Sequence, residues 1–348
     1  MSLEFSHIAY RYGAKSETRA LEDVSFVAPA GEITCLLGAS GCGKSTLLNL
    51  TAGLLRVQGG EITLNGETMA NAAASPAPEA RPVGLVFQDG ALFPHMTLAQ
   101  NVAFGLPKER HSEIEPWLER VGLEGLGGRY PHELSGGQQQ RAALARAMAP
   151  EPQVLLMDEP FASVDIVLRR RLRRECRMIL RELGTTTILV THDPDEALDI
   201  ADRIAVMEGG GIVQIGTPQE LYNAPATPSV GEIFGGAQIV RAEVKSGLYE
   251  SVFGRWLNAC LVGEGVAEGQ SADLLVQARA LRLEKDEEEG VPVRDVHPLG
   301  ARARVLLQHE SGAELTAEVP ASAAEHIRAG DLYRFTPDSE SVRAFPRT

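Results

Sequence analysis

The sequence predicts an α/β domain followed by a smaller, all-β domain. Short apolar runs at residues 33–37, 154–157 and 186–190 have the length of buried strands, and segments with helical spacing of apolar residues lie between them. Strands that alternate with helices are typical of a parallel sheet. Beyond residue 237 the apolar runs are short and separated by turns, as at residues 303–307. This second pattern predicts a small β domain.

Length, composition and charge exclude several classes of protein. A chain of 348 residues has room for about two domains. Hydrophobic residues make up 44% and charged residues 23%, and the mean hydropathy is -0.09, which excludes wholesale disorder and a bundle of membrane spans. The 47 acidic and 33 basic residues give a formal net charge of -14, so we expect no nucleic-acid partner.

The cysteines and the N-terminal residues predict a cellular location. Cys35, Cys42, Cys176 and Cys260 show no C-x-x-C spacing, which favours a reducing compartment. The first residues lack a basic segment followed by an apolar run, so we expect no signal peptide. The apolar runs are too short to cross a bilayer, and any membrane role is therefore expected to come through a partner.

Further segments complete the expected organisation of the chain. Alternating patterns predict a β-rich opening over residues 1–30, and helical spacing predicts a helix over residues 44–55. An Ala- and Pro-rich stretch at residues 70–82 predicts a surface loop. The Pro- and Gly-rich stretch at residues 222–236 predicts a linker, which places the domain boundary near residue 237.

A glycine-rich motif follows the strand at residues 33–37. It satisfies G-x-x-x-x-G-K-[ST] and comprises Gly38, Ala39, Ser40, Gly41, Cys42, Gly43, Lys44, Ser45 and Thr46. Small residues let consecutive backbone N–H groups surround a phosphate, and the N-terminus of the next helix adds its dipole. Lys44 is expected to neutralise phosphate charge, and the Ser45 hydroxyl to ligate Mg²⁺. The motif predicts a nucleotide site; the alternative is a glycine turn that arises by chance.

A carboxylate pair ends the apolar run at residues 154–157. Asp158 lies at the carboxyl end of the predicted strand, where it can hold Mg²⁺. Glu159 follows directly and is placed to act as general base toward an attacking water. The alternative is a solvated strand end, which the phosphate loop earlier in the chain disfavours.

The string Leu134-Ser135-Gly136-Gly137-Gln138 opens an Ala-rich helix and predicts a second anion-binding helix N-terminus. Together with the two preceding motifs, it resembles the signature of the ATPase subunits of ATP-binding-cassette (ABC) transporters. The resemblance implies a P-loop NTPase of the ABC type with a helical subdomain at about residues 89–150. It also implies a head-to-tail pair, in which Ser135, Gly137 and Gln138 of one subunit close on the ATP held by the other.

Other residues match this family one at a time. Tyr12 lies where the family stacks an aromatic ring on adenine, with Tyr10 as the neighbouring candidate and a core role as the alternative for either ring. Gln88 resembles the glutamine that contacts Mg²⁺ and whose loop senses the membrane partner. His192 resembles the histidine that contacts the γ-phosphate. The string Ala162-Ser163-Val164-Asp165 resembles the loop that links the two ATP sites, although the family more often has Ser-Ala-Leu-Asp there.

The resemblance extends over almost the whole chain. Residues 1–237 resemble the ATPase domain, and residues 238–348 resemble the small oligonucleotide-binding-like (TOBE) domain of importer ATPases. The implied cofactors are ATP and Mg²⁺. The implied partners are a second copy of the subunit, an integral membrane permease and, indirectly, an extracytoplasmic solute-binding protein. The implied location is the cytoplasmic face of the inner membrane, as a peripheral subunit.

The sequence resembles the ferric-iron importers most, so we expect ferric iron as the cargo, with polyamine, thiamine, sulfate or sugar as alternatives. A soluble ABC ATPase of DNA repair or translation is the alternative of another class; it usually has a long coiled-coil insertion or two cassettes. A regulatory module without catalysis would lack Lys44, Asp158, Glu159 and His192.

The basic run at residues 169–174 is interpreted as a solvated helix face, since no aromatic residues accompany it.

Overall fold

The computed structural model describes residues 2–13, 19–88, 90–162, 164–234, 237–256, 259–261, 266–338 and 342–347. The chain forms two units, Met1–Ala224 and Pro225–Thr348. The sequence placed the boundary near residue 237, but the division falls earlier, between residues 224 and 225. The reason is that a helix at Pro228–Ile233 packs on strands of the second unit. Gly231 of this helix lies so close to Leu275 that an added Cβ would be 2.1 Å from the leucine Cδ2.

The first unit contains both strands and helices. In chain order its elements are β1 (Leu3–Tyr10), β2 (Leu21–Ala28), β3 (Ile33–Leu37), α1 (Lys44–Ala52), β4 (Gly59–Leu64), β5 (Glu67–Asn71), β6 (Val83–Val86), α2 (Leu98–Ala103), α3 (Ile114–Arg120), α4 (Gly136–Met148), β7 (Val154–Asp158), α5 (Ile166–Leu183), β8 (Thr186–Thr191), α6 (Pro194–Ile200), β9 (Arg203–Glu208), β10 (Gly211–Gly216) and α7 (Pro218–Asn223).

A sheet with the strand order β10-β9-β3-β8-β7-β6 forms the centre of this unit. The neighbouring strands from β9 to β6 pair in parallel, as the alternation of strands and helices predicts. Every residue of β3 and β8 is buried, which is typical of parallel strands covered on both faces. Because β3, β8 and β7 are neighbours, their carboxyl ends meet at one edge of the sheet.

A second sheet, with the antiparallel order β2-β1-β4-β5, packs its apolar side chains into the same core. The rings of Phe5 and Phe26 stack across β1 and β2 with their centroids 4.5 Å apart. The sequence predicted β1 and β2 but missed β4 and β5. Two glycines open β4, and a strand that starts without apolar alternation gives no periodic signal.

A buried arginine fixes the Ala- and Pro-rich loop that precedes β6. Nη1 of Arg81 donates to the carbonyl oxygens of Leu50 (2.6 Å) and Thr51 (2.9 Å) in the last turn of α1. The last carbonyls of a helix lack the usual donor four residues later, and a cation there is also favoured by the helix dipole. α1 ends at Ala52, short of the predicted residue 55, because Gly53 adopts a left-handed conformation with φ 83.

Helices α2, α3 and α4 lie in the segment between β6 and β7, where the sequence predicted a helical subdomain. Thr97 and Gln100 form a capping box at the start of α2. The buried amide of Asn101 donates to the carbonyl oxygens of Phe93 and Met96, both at 3.2 Å. These bonds fix the loop that follows β6 to the body of α2.

The second unit is built mainly of strands. In chain order its elements are α8 (Pro228–Ile233), β11 (Ala237–Lys245), β12 (Leu248–Ser251), β13 (Gly254–Trp256), β14 (Ala259–Leu261), β15 (Ser271–Gln277), β16 (Leu281–Lys285), β17 (Val291–Pro298), β18 (Arg302–Gln308), β19 (Glu314–Pro320), α9 (Ala321–Ala324), β20 (Leu332–Pro337) and β21 (Val342–Pro346). Two sheets, β13-β12-β11-β15-β21-β14 and β16-β20-β17-β18-β19, share one apolar core. Trp256 and Phe335 pack in that core with ring centroids 4.9 Å apart. The predicted β domain is therefore confirmed.

Among the helices of the described residues, none has both the length and the apolar character needed to cross a membrane.

Candidate active site

The glycine-rich loop between β3 and α1 leaves the first N–H groups of α1 open. α1 begins at Lys44, and Gly43 before it has φ 107 and supplies no side-chain cap. N–H groups in the first turn of a helix lack intrahelical acceptors, so such an end favours an anion. Gly38 lies so close to β9 that an added Cβ would be 2.2 Å from the carbonyl oxygen of Met207. Glycine is the residue that fits at both of these positions.

A lysine and two oxygen-bearing side chains lie beside this loop. The buried ammonium of Lys44 donates to the carbonyl oxygens of Gly38 (2.7 Å) and Ala39 (2.9 Å). The Ser45 hydroxyl donates to Oδ1 of Asp158 over 3.3 Å, which joins α1 to the end of β7. Burial raises the pKa of the Asp158 carboxyl, and although the Ser45 bond opposes this effect, the pKa stays above its usual value.

Glu159 and His192 meet where β7 and β8 end. Glu159 has φ 42, in the left-handed region, and its N–H donates to the carbonyl oxygen of Val190 over 3.0 Å. Oε1 of Glu159 lies 2.9 Å from Nδ1 of His192. A non-glycine residue in this conformation is held there by its surroundings, and such residues cluster at functional sites. The backbone of Glu159 is therefore held by β8, and its carboxylate pairs with the imidazole of His192.

Tyr12 and Tyr10 occupy different environments. Tyr10 is buried in the core, whereas Tyr12 is 52% exposed and its hydroxyl lies 3.1 Å from Oγ1 of Thr46. The two rings contact edge to face, with centroids 5.0 Å apart. Tyr12 borders an open cavity of ≈ 420 Å³. The other residues around this cavity are Arg19, Ala20, Ser40, Gly41, Gly43, Lys44, Ser45, Thr46 and Glu159.

The remaining candidate residues lie elsewhere on the unit. Ser135 and Gln138 bond to each other in the capping box of α4, and in the described part of the chain none of their hydrogen bonds extends to the phosphate loop. Gly137 packs beneath α5, where an added Cβ would be 3.0 Å from Leu168. Gln88 is exposed on the loop after β6. Asp165 caps α5 by accepting from the N–H of Leu168 over 3.0 Å, and Ser163 lies outside the described residues.

The basic run on α5 is not uniformly solvated, which corrects the expectation from the sequence. Arg173 is only 4% exposed, and its guanidinium lies 2.5 Å from Oδ2 of Asp193 and 3.5 Å from Oε2 of Glu196. Two arginines of α5 and three carboxylates from the N-cap and body of α6 form a charged cluster, whose members are Arg169, Arg173, Asp193, Glu196 and Asp199. The sequence carried a signal for this cluster: the two arginines are four residues apart, and so fall on one face of a helix.

A phosphate loop after one parallel strand, together with a carboxylate pair at the end of another strand of the same sheet, defines the class of P-loop ATPases. The family model for ABC transporters matches residues 21–162, and the model for the TOBE domain matches residues 276–345. The chain belongs to the ATP-binding subunits of ABC transporters, in the branch of import ATPases that carry a C-terminal TOBE domain. The expected family, fold class and ATPase activity are confirmed.

Relatives with curated names cover both halves of the chain. The sulfate/thiosulfate import ATP-binding protein of Ralstonia nicotianae is 39% identical over 365 residues, which cover 99% of this chain and 96% of the relative. The Fe(3+) ions import ATP-binding protein of Rhizobium etli is 48% identical over 246 residues, which cover 69% of this chain and 68% of the relative.

Solved structures of ATP-binding cassettes are similar to about two thirds of the chain. A crystal structure of a nucleotide-free ATP-binding cassette from an ABC transporter matches with a TM-score of 0.60 and 27% identity, covering 68% of this chain and 100% of that one. The dimeric structure of a post-hydrolysis state of a cassette bound to ADP and Pi matches with a TM-score of 0.53 and 28% identity, covering 62% of this chain and 98% of that one.

Proposed function

We propose that the chain hydrolyses ATP in a head-to-tail pair of identical subunits and couples this reaction to solute uptake through a separate membrane permease. One observation carries the pairing: the hydrogen bonds of the signature residues Ser135 and Gln138 are local, whereas the phosphate loop opens at Lys44. A second copy can supply its signature, with Gly137, to that loop. A similar cassette is dimeric with ADP and Pi bound, which supports this arrangement.

The residues around the phosphate loop fit ATP together with Mg²⁺. The uncapped start of α1 and the Lys44 ammonium favour phosphate oxygens, and the exposed ring of Tyr12 borders the cavity where an adenine can stack. Ser45 and Asp158 offer the oxygen ligands that Mg²⁺ prefers, with Gln88 as the proposed third. Mg²⁺ held there would neutralise charge that builds up on the phosphate oxygens.

Glu159 is the proposed general base. It accepts a proton from the water as the water oxygen attacks the γ-phosphorus and the bond to the β–γ bridging oxygen breaks. His192 keeps the carboxylate in place through the 2.9 Å contact and presents its other ring nitrogen to the γ-phosphate. Asp165 lies at the start of α5, where the proposed role is to meet the second subunit.

ATP hydrolysis measured against protein concentration tests the proposal. The Mg²⁺-dependent rate per subunit is expected to rise with concentration, because two chains complete each site. Glu159→Gln keeps the size of the side chain and removes the base, so this variant is expected to bind ATP, to lose turnover and to accumulate as a closed dimer. Unchanged hydrolysis in Glu159→Gln would remove Glu159 as the base, and a rate independent of concentration in monomeric protein would overturn the pairing.

For the cargo, we infer ferric iron. The ferric-iron relatives have the higher identity over the region that they match, 48% against 39% for the first sulfate relative. Sulfate is the second candidate, since that relative covers 99% of the chain, including the tail. Uptake of labelled ferric iron and of labelled sulfate in cells with and without this chain separates the two, since the cargo's uptake falls when the chain is missing.

The proposed partners follow from this role. The permease binds the ATPase pair at the cytoplasmic face of the inner membrane, and an extracytoplasmic solute-binding protein delivers cargo to the permease without contacting this chain. Co-purification of the chain with the membrane fraction only when its permease is present tests this location.

A further inference from the structure

Asp193 follows His192 directly and uses its two carboxylate oxygens for different contacts. Oδ1 caps α6 by accepting from the N–H groups of Asp195 (3.0 Å) and Glu196 (3.3 Å). Oδ2 faces α5, at 2.5 Å from Arg173 and 3.8 Å from Arg169. The residue beside His192 is therefore joined both to its own helix and to the neighbouring one.

Arg169 extends from Asp193 to the loop that precedes α5. Its Nη2 donates to the carbonyl oxygens of Val164 (2.9 Å) and Ala162 (3.3 Å), and its Nε donates to Val164 as well (3.3 Å). Three donor contacts from one planar guanidinium fix the direction of these carbonyls. One side chain thus contacts both the loop before α5 and the residue that follows His192.

Arg173 is the most buried arginine of the same charged cluster. It is 4% exposed and contacts Asp193, Glu196 and Asp199. Oε2 of Glu196 in turn accepts from the Thr191 hydroxyl over 3.0 Å, at the last residue of β8 before His192. The segment that carries His192 is held on both of its sides by the cluster.

We propose that Arg169 and Asp193 are positioning residues that hold His192 in a fixed relation to the loop at Ala162 and Val164. This inference rests on the proposed function, in which His192 contacts the γ-phosphate and the loop meets the second subunit. A displacement of the loop when the second copy docks then changes the position of His192 through two side chains. ATP binding by a single chain does not depend on this connection.

Arg169→Gln removes the guanidinium, and Arg170→Gln is the matched control, since Arg170 is exposed on the same helix. We expect Arg169→Gln to lower kcat by about ten- to a hundred-fold with KM for ATP unchanged, because a small misplacement of a reacting group has effects of that order. Asp193→Asn is the second variant: asparagine keeps the cap of α6 and removes the charge toward α5. The same fall in kcat is expected there, while Arg170→Gln keeps the wild-type rate.

A double-mutant cycle separates positioning from a general loss of structure. In a His192→Ala background, single-turnover hydrolysis is expected to be the same with and without Arg169→Gln, because the connection ends at His192. Independent, multiplying losses in the two variants would overturn the inference, as would a wild-type kcat in both Arg169→Gln and Asp193→Asn. If His192→Ala alone left hydrolysis unchanged, the proposed role of His192 would fail instead, which distinguishes the two cases.

Discussion

The phosphate loop and the charged cluster differ in which part of the chain builds them, backbone in the loop and side chains in the cluster. The loop at residues 38–46 is a backbone structure, in which glycine allows both the close approach to β9 and the left-handed turn before α1. The charged cluster consists of side chains on α5, on α6 and at the N-cap of α6. These side chains meet only after the sheet has placed the two helices side by side.

This difference determines which changes each region tolerates. A backbone loop in close contact fails for steric reasons, whatever the charge of the new side chain. A cluster of buried charges fails for electrostatic reasons: removing one partner leaves the others desolvated and unpaired. We therefore expect the phosphate loop to be the more sensitive of the two to added volume, and the charged cluster to be the more sensitive to pH.

The largest effect is expected from Arg173→Met, which keeps a long side chain and removes the charge. Glu196 is buried and Asp193 is partly buried, so loss of their cationic partner is expected to lower the free energy of unfolding by about 3–5 kcal/mol. Urea unfolding of the full chain, followed by a probe in the first unit, measures this loss.

Arg171→Gln is the matched control for that experiment. Arg171 lies on the same helix, is 74% exposed and pairs with Glu175 four residues later. Exposed pairs of this kind contribute about 0.3–0.5 kcal/mol, so the control should stay close to the wild type. Equal losses in Arg171→Gln and Arg173→Met would mean that the cluster behaves like a solvated helix face, as the basic run alone suggested.

Particular residues explain why the sequence predicted one region and missed the other. The motif from Gly38 to Thr46 is contiguous, so its chemistry follows from local conformation and needs no knowledge of partners. Arg173 and Asp193 are twenty residues apart and separated by β8, and each residue alone is typical of an exposed helix. Their meeting depends on the packing of α5 against α6, which composition and periodicity do not encode.

Missing local signals and contacts between distant residues also explain the other features that the sequence did not predict. β4 starts with two glycines, and the buried guanidinium of Arg81 depends on the end of α1, which is distant in sequence. The strand β7 and the adjoining Glu159 were predicted because a strand of four or five apolar residues is a complete signal. The left-handed conformation of Glu159 carries no sequence signal, since it is imposed by the contact with β8.

The second expected effect is a pH dependence that arises in the charged cluster. Burial raises the pKa of Glu196 from 4.5 to about 7, against the opposing charge of Arg173 and the Thr191 hydrogen bond. The folded chain therefore holds a proton that the unfolded chain has released between these two pH values. The free energy of unfolding is expected to fall as the pH rises through this window, by on the order of 3 kcal/mol in all, and then to level off.

Glu196→Gln isolates this contribution, because glutamine keeps the shape and does not titrate. The free energy of unfolding of the wild type minus that of Glu196→Gln should fall from pH 4.5 to about pH 7 and stay constant above it, because only the wild type loses stability in this window. A difference that is flat over the whole range would show that folding does not shift the pKa of Glu196, and the contrast in pH sensitivity between the two regions would be lost.

The smallest effect in free energy is expected from Gly38→Ala, which adds one methyl group to the phosphate loop. The new Cβ would lie 2.2 Å from the carbonyl oxygen of Met207, so the loop or β9 must move. Overpacking of this kind costs about 1–3 kcal/mol, and strain of that size on the loop corresponds to ATP binding that is weaker by about 5- to 150-fold. Gly128→Ala is the control, since Gly128 has open space around it. ATP affinity measured at pH 6 and pH 8 should fall equally at both values, and a wild-type affinity in Gly38→Ala would mean that the loop accommodates the added methyl group.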